Sequence, residues 1–273
     1  MKDLKGRSAA ITGAGSGLGR SMALAFAREG MKVALADVDQ KGLDETGSLL
    51  GDALLLSMKV DVSKASDVEE FSRRIDRPYL VCNNAGVSPL GAVWENSVDD
   101  WQWILGVNLW GVIHGVRAFA PRLIAQNEGH IVNTASVAGL ISPPGSGAYN
   151  VTKHAVVALS ETLHHDLRER NSNVRVSVLC PAYVPTGISD SERSRPAGLS
   201  QGVVSQETRA KQAMLKKAVA SGRLTADDIA KAVVAAVKED RFYILTHPRI
   251  KGAIQARMED ILSERAPRDP LRL

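Results

Sequence analysis

At 273 residues the chain has room for one or two domains, and a 44% hydrophobic composition is ample for a large core. No apolar run approaches the roughly 20 residues of a membrane helix, and the first five residues lead into a strand-like segment without a signal-peptide pattern, so a soluble cytoplasmic protein is expected. The net charge of +4 and the pI near 9.1 come from Lys and Arg scattered among acids rather than gathered in a stripe with aromatics, which argues against a nucleic-acid partner.

Residues 8 to 12 read as a short buried strand that runs into the glycine-rich stretch Gly13, Ala14, Gly15, Ser16, Gly17, Leu18 and Gly19. Residues 20 to 28 then place Met22, Leu24, Ala25 and Phe26 at helical spacing, and Gly30 supplies a stop. Strand, glycine turn and helix in this order let a backbone approach a pyrophosphate while the helix N-terminus holds its charge. A plain tight turn would show the same glycines. Residues 32 to 36 form a second strand closed by Asp37, an acid about 20 residues after the glycines, where a ribose diol is gripped in dinucleotide-binding folds.

A helix over residues 41 to 50, a strand over 53 to 60 ending in Asp61 and Val62, and a short helix over 65 to 75 follow. Residues 79 to 82 are another buried strand, which empties into Asn83, Asn84, Ala85 and Gly86. A capping box at residues 97 to 100 opens a long helix through Trp101, Ile104, Leu109 and Val116 to about residue 120. Asn108 sits within it, and Gly111 and Gly115 give it a small-residue face that a neighbour could approach closely. Further strands are expected over residues 129 to 135, 174 to 179 and 241 to 245, and helices over 148 to 170, 206 to 220 and 225 to 237. The segment from Gly187 to Gly222, with its polar residues, glycines and prolines, reads as a substrate lid, and the tail over 247 to 273 is mixed and basic. Cys82 and Cys180 each end an apolar run, where buried inert thiols are expected, with neither a disulfide nor a metal site. Strands alternating with helices argue for a single α/β domain over residues 1–273, a doubly wound, Rossmann-like parallel sheet of about seven strands with helices on both faces.

Ser136, Tyr149 and Lys153 bring a hydroxyl, a phenol and an amine into one short stretch. A helical step of four residues puts Tyr149 and Lys153 on one face, one turn apart. A free phenol has a pKa of about 10, and lowering it by about three units takes roughly 4 kcal/mol. One ammonium at about 4 Å supplies about that much at an effective dielectric near 20. Such a phenol could exchange a proton with a substrate oxygen near neutral pH. Taken alone, the Tyr and Lys spacing equally describes a surface pair.

With these residues in hand, the chain resembles the short-chain dehydrogenase/reductase family over roughly residues 5 to 245. The family's cofactor loop corresponds to Thr12, Gly13, Gly17 and Gly19, its Asn-Asn-Ala-Gly to residues 83 to 86, and its mid-helix asparagine to Asn108. Its catalytic serine, tyrosine and lysine correspond to Ser136, Tyr149 and Lys153. The resemblance implies hydride transfer with NAD. Gly13, Gly15, Ser16, Gly17, Leu18 and Gly19 would cradle the pyrophosphate and Asp37 the adenosine ribose. Asp61 and Val62 would meet the adenine edge, and Asn84, Ala85 and Gly86 the ribose region. Tyr149, Lys153, Pro181, Val184 and Thr186 would surround the nicotinamide half. Ser136 would orient the substrate oxygen, Tyr149 carry its proton, and Asn108 hold a water behind Lys153 or simply be satisfied by backbone at a helix kink. Trp94, Val137, Leu140 and Tyr183, with Ser136, are the candidate substrate contacts, while Trp101, Trp103 and Trp110 point to packing or an interface. By analogy, Gly111, Gly115, Ala155 and Ala158 suggest a homodimer or homotetramer.

Two departures from the family bear on local geometry. Its Pro-Gly is Pro181-Ala182 here, which puts the turn after the sixth strand in question, and the stretch between Asp61 and Asn83 is short, so its helix should be short. The lid sequence carries nothing that identifies the substrate. The leading expectation is NAD-dependent oxidation of a secondary alcohol, or reduction of a ketone, of medium size and apolar type: a steroid, a terpenoid or an aryl alcohol. A 3-oxoacyl thioester reductase would want NADPH, which Asp37 disfavours, and a basic docking face, which Lys211, Lys216 and Lys217 leave open. A catalytically silent dinucleotide sensor need not keep Ser136, Tyr149 and Lys153 together.

Overall fold

The expected apolar runs become seven strands: β1 (Ser8–Thr12), β2 (Lys32–Asp37), β3 (Leu54–Lys59), β4 (Pro78–Asn83), β5 (His130–Thr134), β6 (Arg175–Cys180) and β7 (Tyr243–Leu245). The structure is a computed structural model describing residues 3–200, 202 and 205–272. The ends of the 1–273 domain, residues 201, 203 and 204 of the lid, and the side chain of Lys211 lie outside the described residues. All seven strands pair in parallel in the order β3-β2-β1-β4-β5-β6-β7. Every residue of β4 and β5 is buried, as expected for strands covered on both faces, whereas edge strand β3 alternates between half-buried and exposed positions.

Helices α1 (Gly17–Arg28), α2 (Gln40–Leu50) and α8 (Ala226–Lys238) cover one face. There Met22 and Phe26 of α1 share a core with Ile229, Val233 and Val237 of α8. Helices α3 (Ala65–Arg73), α5 (Gly111–Ala125) and α6 (Gly147–Glu169) cover the other, with Phe71, Phe119, Leu123 and Leu167 buried together. The rings of Phe71 and Phe119 meet edge to face at 6.2 Å. Each such fully buried side chain contributes roughly 1.5–3 kcal/mol. The short α3 matches the short stretch between Asp61 and Asn83.

The long helix that opens at Ser97 has three parts: α4 (Val98–Ile104), a π-helical turn over Leu105–Trp110, and α5. It runs past the expected end near residue 120, accommodating Pro121 in its interior. Its small-residue face meets this chain's own Val62, just after β3, and Asn83 at the end of β4. A Cβ added at Gly111 would lie 2.8 Å from Val62 Cγ2, and one at Gly115 would lie 1.9 Å from Asn83 Oδ1. Those two glycines therefore do not mark an interface, whereas Ala158 is exposed and Ala155 half-buried. Gly115→Ala should overpack this contact and destabilise the protein by about 1–3 kcal/mol, read as a lower urea midpoint; an unchanged midpoint would show that Asn83 gives way freely.

Helices α7 (Gln206–Ala220) and α8 fall where they are expected, and the tail over 247 to 273, expected only to be mixed and basic, holds a further helix, α9 (Ile250–Leu262). Asp260 near the end of α9 is buried and held by Arg265 and Arg268. No helix among the described residues is long and apolar enough to cross a membrane.

Candidate active site

Strand order reverses between β1 and β4, and a crevice opens at their C-terminal ends. The Thr12 hydroxyl oxygen accepts the N–H groups of Asn84 at 2.9 Å and Ala85 at 3.1 Å. Asn84 in turn donates from Nδ2 to the Thr12 carbonyl and accepts from the Thr134 hydroxyl, so three strand ends are tied at one point. Against this knot the glycine loop turns at Gly13, whose φ of +66° suits glycine. A Cβ at Gly19 would sit 2.0 Å from the Gly13 carbonyl oxygen. The first turn of α1 carries no acid, leaving its N-terminus open to an anion.

A cavity of about 710 Å³ runs from this loop in both directions, within the roughly 300–1,000 Å³ usual for small-molecule sites. Of the expected cofactor residues, Gly13, Ser16, Gly17, Leu18, Asp37, Asp61 and Val62 line it, as do Asn84, Ala85 and Gly86. So do Tyr149, Lys153, Pro181, Val184 and Thr186. Gly15 and Gly19 do not. Gly15 spends its N–H on Asp37 Oδ2 at 2.8 Å, and Gly19 is packed behind Gly13, so both brace the cradle from outside. Asp37 Oδ1 accepts the Asp39 N–H at 3.0 Å, which holds the carboxylate at one end of the cavity. The nearby Arg20 is already engaged by Glu45, Thr46 and the Gly15 carbonyl.

The chemistry gathers at the opposite end. Ser136, following β5, is 8% exposed; its hydroxyl donates to the Pro181 carbonyl at 3.3 Å and accepts the Ala138 N–H. On α6, Lys153 is buried, its Nζ donating to the Thr134 carbonyl at 2.9 Å and lying 5.5 Å from the Tyr149 ring centroid. Gly86 lies beside it: a Cβ there would meet that nitrogen at an ordinary contact distance of 3.6 Å. Enclosure penalises both charges: the Tyr149 phenol is pushed up to about 12, partly offset by the Ser136 hydroxyl, and the Lys153 amine is pulled down to about 8. For the phenol alone this reverses the direction expected from the ammonium's charge. The two groups are enclosed together, so their protons leave in steps that belong to the pair and not to either residue alone.

Asn108, in the π-helical turn, has no cavity surface. Its Oδ1 accepts the Val87 N–H at 2.8 Å and its Nδ2 donates to the Val87 carbonyl at 2.9 Å, so its side chain fixes the segment just after Gly86. Backbone satisfaction at a helix irregularity is thus what this side chain shows. Ala182 causes no strain, since it has no positive φ, and its N–H donates to His247 Nδ1 at 3.2 Å.

Of the expected substrate contacts, Ser136 lines the cavity, whereas Trp94, Val137, Leu140 and Tyr183 do not. Trp94 is 86% exposed, Tyr183 is 40% exposed, Leu140 packs on the core beside Val156 and Val157, and Val137 is the first residue of a 3-10 turn capped by Ser136. The wall is built instead from Val87, Trp103, Val107, Ile188 and Val219. Trp103 belongs to packing and to the cavity at once: it is buried, and the Arg195 guanidinium lies 4.4 Å over its ring. The sequence carried no signal for this, because Arg195 and Asp100 are 95 positions apart and only the fold joins them, at 2.6 Å. The same lid is pinned by Ser191 to Ser88, Ser200 to Asp99, Thr208 to Glu95 and Gln212 to the Leu90 carbonyl. Cys82 and Cys180 are buried free thiols, both pushed up by enclosure.

Residues 7–197 match the sequence profile of the family described as short chain dehydrogenase. The chain belongs to the short-chain dehydrogenases. This short-chain dehydrogenase is similar to the CLA biosynthesis dehydrogenase/reductase of Lactiplantibacillus plantarum, 34% identical over 277 aligned positions covering 98% of this chain and 97% of that one. The C alpha-dehydrogenase of Sphingobium sp. is 31% identical, over 98% of this chain and 89% of its own. Among solved structures, a short chain dehydrogenase/reductase from Burkholderia phymatum in complex with NAD superposes with a TM-score of 0.96 at 48% identity, covering 100% of both chains. The family and the Rossmann-like α/β fold expected from the sequence are therefore both established, and the short-chain dehydrogenase is an oxidoreductase.

Proposed function

We propose that this enzyme uses NAD(H) to interconvert a secondary alcohol and a ketone on an apolar substrate of medium size, such as a steroid, a terpenoid or an aryl alcohol. The observation that carries it is one cavity with Asp37 at one end and Ser136, Tyr149 and Lys153 at the other. The NAD complex of the similar Burkholderia phymatum protein supports the choice of cofactor. The glycine cradle fits a pyrophosphate because a side chain at Gly13 would collide with Ala85 and one at Gly19 with Gly13. Asp37 would accept the adenosine ribose hydroxyls, Asp61 and Val62 would meet the adenine edge, and Asn84 to Gly86 would border the ribose. Lys153 would add a bond to the nicotinamide ribose, and Pro181, Val184 and Thr186 would border the carboxamide.

The bound nicotinamide supplies the hydride acceptor or donor. The protein handles the proton. In oxidation, the Ser136 hydroxyl holds the substrate oxygen while Tyr149 takes its proton; in reduction, Tyr149 returns one. Lys153 stabilises the ionised phenol, and Asn108 acts behind it by holding Val87 and Gly86 in place. Val87, Trp103, Val107, Ile188 and Val219 favour an apolar substrate body and exclude water.

A panel of secondary alcohols and ketones, assayed with NAD(H) and NADP(H) by nicotinamide absorbance, tests this function. Turnover of bulky apolar substrates with NAD(H) is expected. Preference for acyl thioesters would move the enzyme to 3-oxoacyl reduction, and tight NADH binding without any turnover would make it a sensor. The lid over residues 187 to 222 should also gain hydrogen-exchange protection when NADH and a substrate analogue bind, since it is polar, carries glycines and prolines, and is tied to residues 88 to 100 by a few polar contacts rather than a shared apolar core. Equal protection in both states would mean a lid that is permanently closed.

A further inference from the structure

Among the described residues, three cations line the cavity: Lys153, Arg193 and Arg195. Two are committed. Lys153 is buried on the Thr134 carbonyl, and Arg195 is neutralised by Asp100 and Glu192 while it covers Trp103. Arg193 has only neutral partners. Its Nη1 donates to the Gly187 carbonyl at 2.7 Å and the Asp190 carbonyl at 2.9 Å, which fixes the guanidinium yet leaves its charge uncompensated and Nη2 and Nε available.

Its position says what that charge faces. A Cβ at Gly187 would lie 2.9 Å from Arg193 Nη2, and the preceding residue, Thr186, reaches the glycine loop, its own Cβ 3.3 Å from where a Cβ at Gly17 would be. The guanidinium is therefore one residue away from the strut that touches the N-terminus of α1. That cradle has no basic side chain of its own: the loop offers Ser16, and Arg20 is turned to Glu45 and Thr46. A pyrophosphate there carries about two negative charges, while a helix N-terminus offers the equivalent of only about half a positive charge. The carboxylates on the cavity wall, Asp37, Asp39 and Asp61, mark the adenosine end and not this one.

We propose that Arg193 closes the cradle from the lid side, pairing its guanidinium with the cofactor's diphosphate, so that the lid is held down by the dinucleotide itself. The proposal rests on dinucleotide binding in this crevice. A planar fork with two free donors suits phosphate oxygens, and a charge-assisted bond of this kind shifts affinity by about tenfold or more.

The test compares the unmutated enzyme with Arg193→Gln and Arg193→Lys. NADH affinity is read from its fluorescence on binding, and affinities for ADP-ribose and adenosine from displacement of NADH. Arg193→Gln should weaken NADH and ADP-ribose about tenfold and leave adenosine within about twofold; Arg193→Lys should recover part of the loss. The NADH deficit should shrink at high salt, since the attraction is between accessible charges. An equal loss for adenosine would assign Arg193 to lid architecture. Unchanged ADP-ribose affinity with a raised substrate KM would assign it to an anionic substrate group. Either result overturns the proposal while leaving NAD use intact, whereas failure of the unmutated protein to bind NADH would remove the functional reading beneath it.

Discussion

Tyr149→Phe should leave NADH affinity within about twofold and lower turnover by about 10²- to 10⁴-fold, the usual contribution of a positioned proton donor or acceptor. The ring keeps its place at the cavity end, so packing survives while the exchangeable proton is lost. Lys153→Ala should damage turnover and cofactor affinity together, because it removes both the cation behind the phenol and the proposed ribose contact. Retention of more than about a twentieth of wild-type turnover by Tyr149→Phe would place the acid-base group elsewhere.

The two shifted groups also set the pH dependence. Oxidation needs the phenolate, so its rate rises with pH. Below about 8 the pair carries both protons. As pH rises through about 8 one proton leaves, and the remaining one rests mainly on the phenol beside a neutral amine, with phenolate beside ammonium as the minor form. The second form is the competent base. The oxidative rate should therefore climb through an apparent value near 8 and level off, although the enclosed phenol by itself is pushed up to about 12. Lys153→Ala should move the climb to the alkaline side, because the phenol must then ionise without its partner. An unmoved profile in that variant would show that another group carries the proton.

A preference for NAD(H) over NADP(H) of at least about tenfold in kcat/KM is the second expectation. The Asp37 carboxylate is held in place by the N–H groups of Gly15 and Asp39, so it cannot swing away from an incoming phosphate. At about 5 Å and an effective dielectric of 20 to 80, each unit of like charge costs about 1 to 3 kcal/mol, and a phosphate carries nearly two. Each 1.4 kcal/mol is about tenfold. Among the described residues, the cations of the wall are Lys153, Arg193 and Arg195, none of them on the glycine loop or just after β2, while Arg20 is spent on Glu45 and Thr46 and exposed Lys41 has no cavity surface. Asp39 adds a second acid at the same end. Asp37→Ser should relax the preference mainly by improving NADP(H) use, with some loss of NAD(H) affinity from the missing ribose bonds and the loosened Gly15. Comparable kcat/KM with the two cofactors in the unmutated enzyme would show that Lys41 or Arg20 reaches the phosphate.

The amino-acid sequence by itself determined the strands, their alternation with helices, the glycine turn, the acid after β2 and the Ser136, Tyr149 and Lys153 set. These signals are local: an apolar run, a cap, a glycine at a turn or a one-turn step on a helix is readable within a few residues of itself. The expectation of a short helix before β4, and the cofactor residues beyond the glycine turn and Asp37, came instead from the resemblance to the family. Tertiary structure alone decided the rest. Gly111 and Gly115 look the same in sequence whether they admit a subunit or a neighbour within the chain, and the positions of Val62, just after β3, and Asn83, at the end of β4, show that they admit the chain's own segments. Trp103 became cavity wall because a buried pair between Asp100 and Arg195, far apart in sequence, lays a guanidinium on its ring. The direction of the Tyr149 and Lys153 shifts was likewise not a property of their spacing. Charge attraction is legible from two residue types four positions apart, but the penalty for enclosing each charge depends on what surrounds it, and those walls come from β5, β6 and the lid folding over α6.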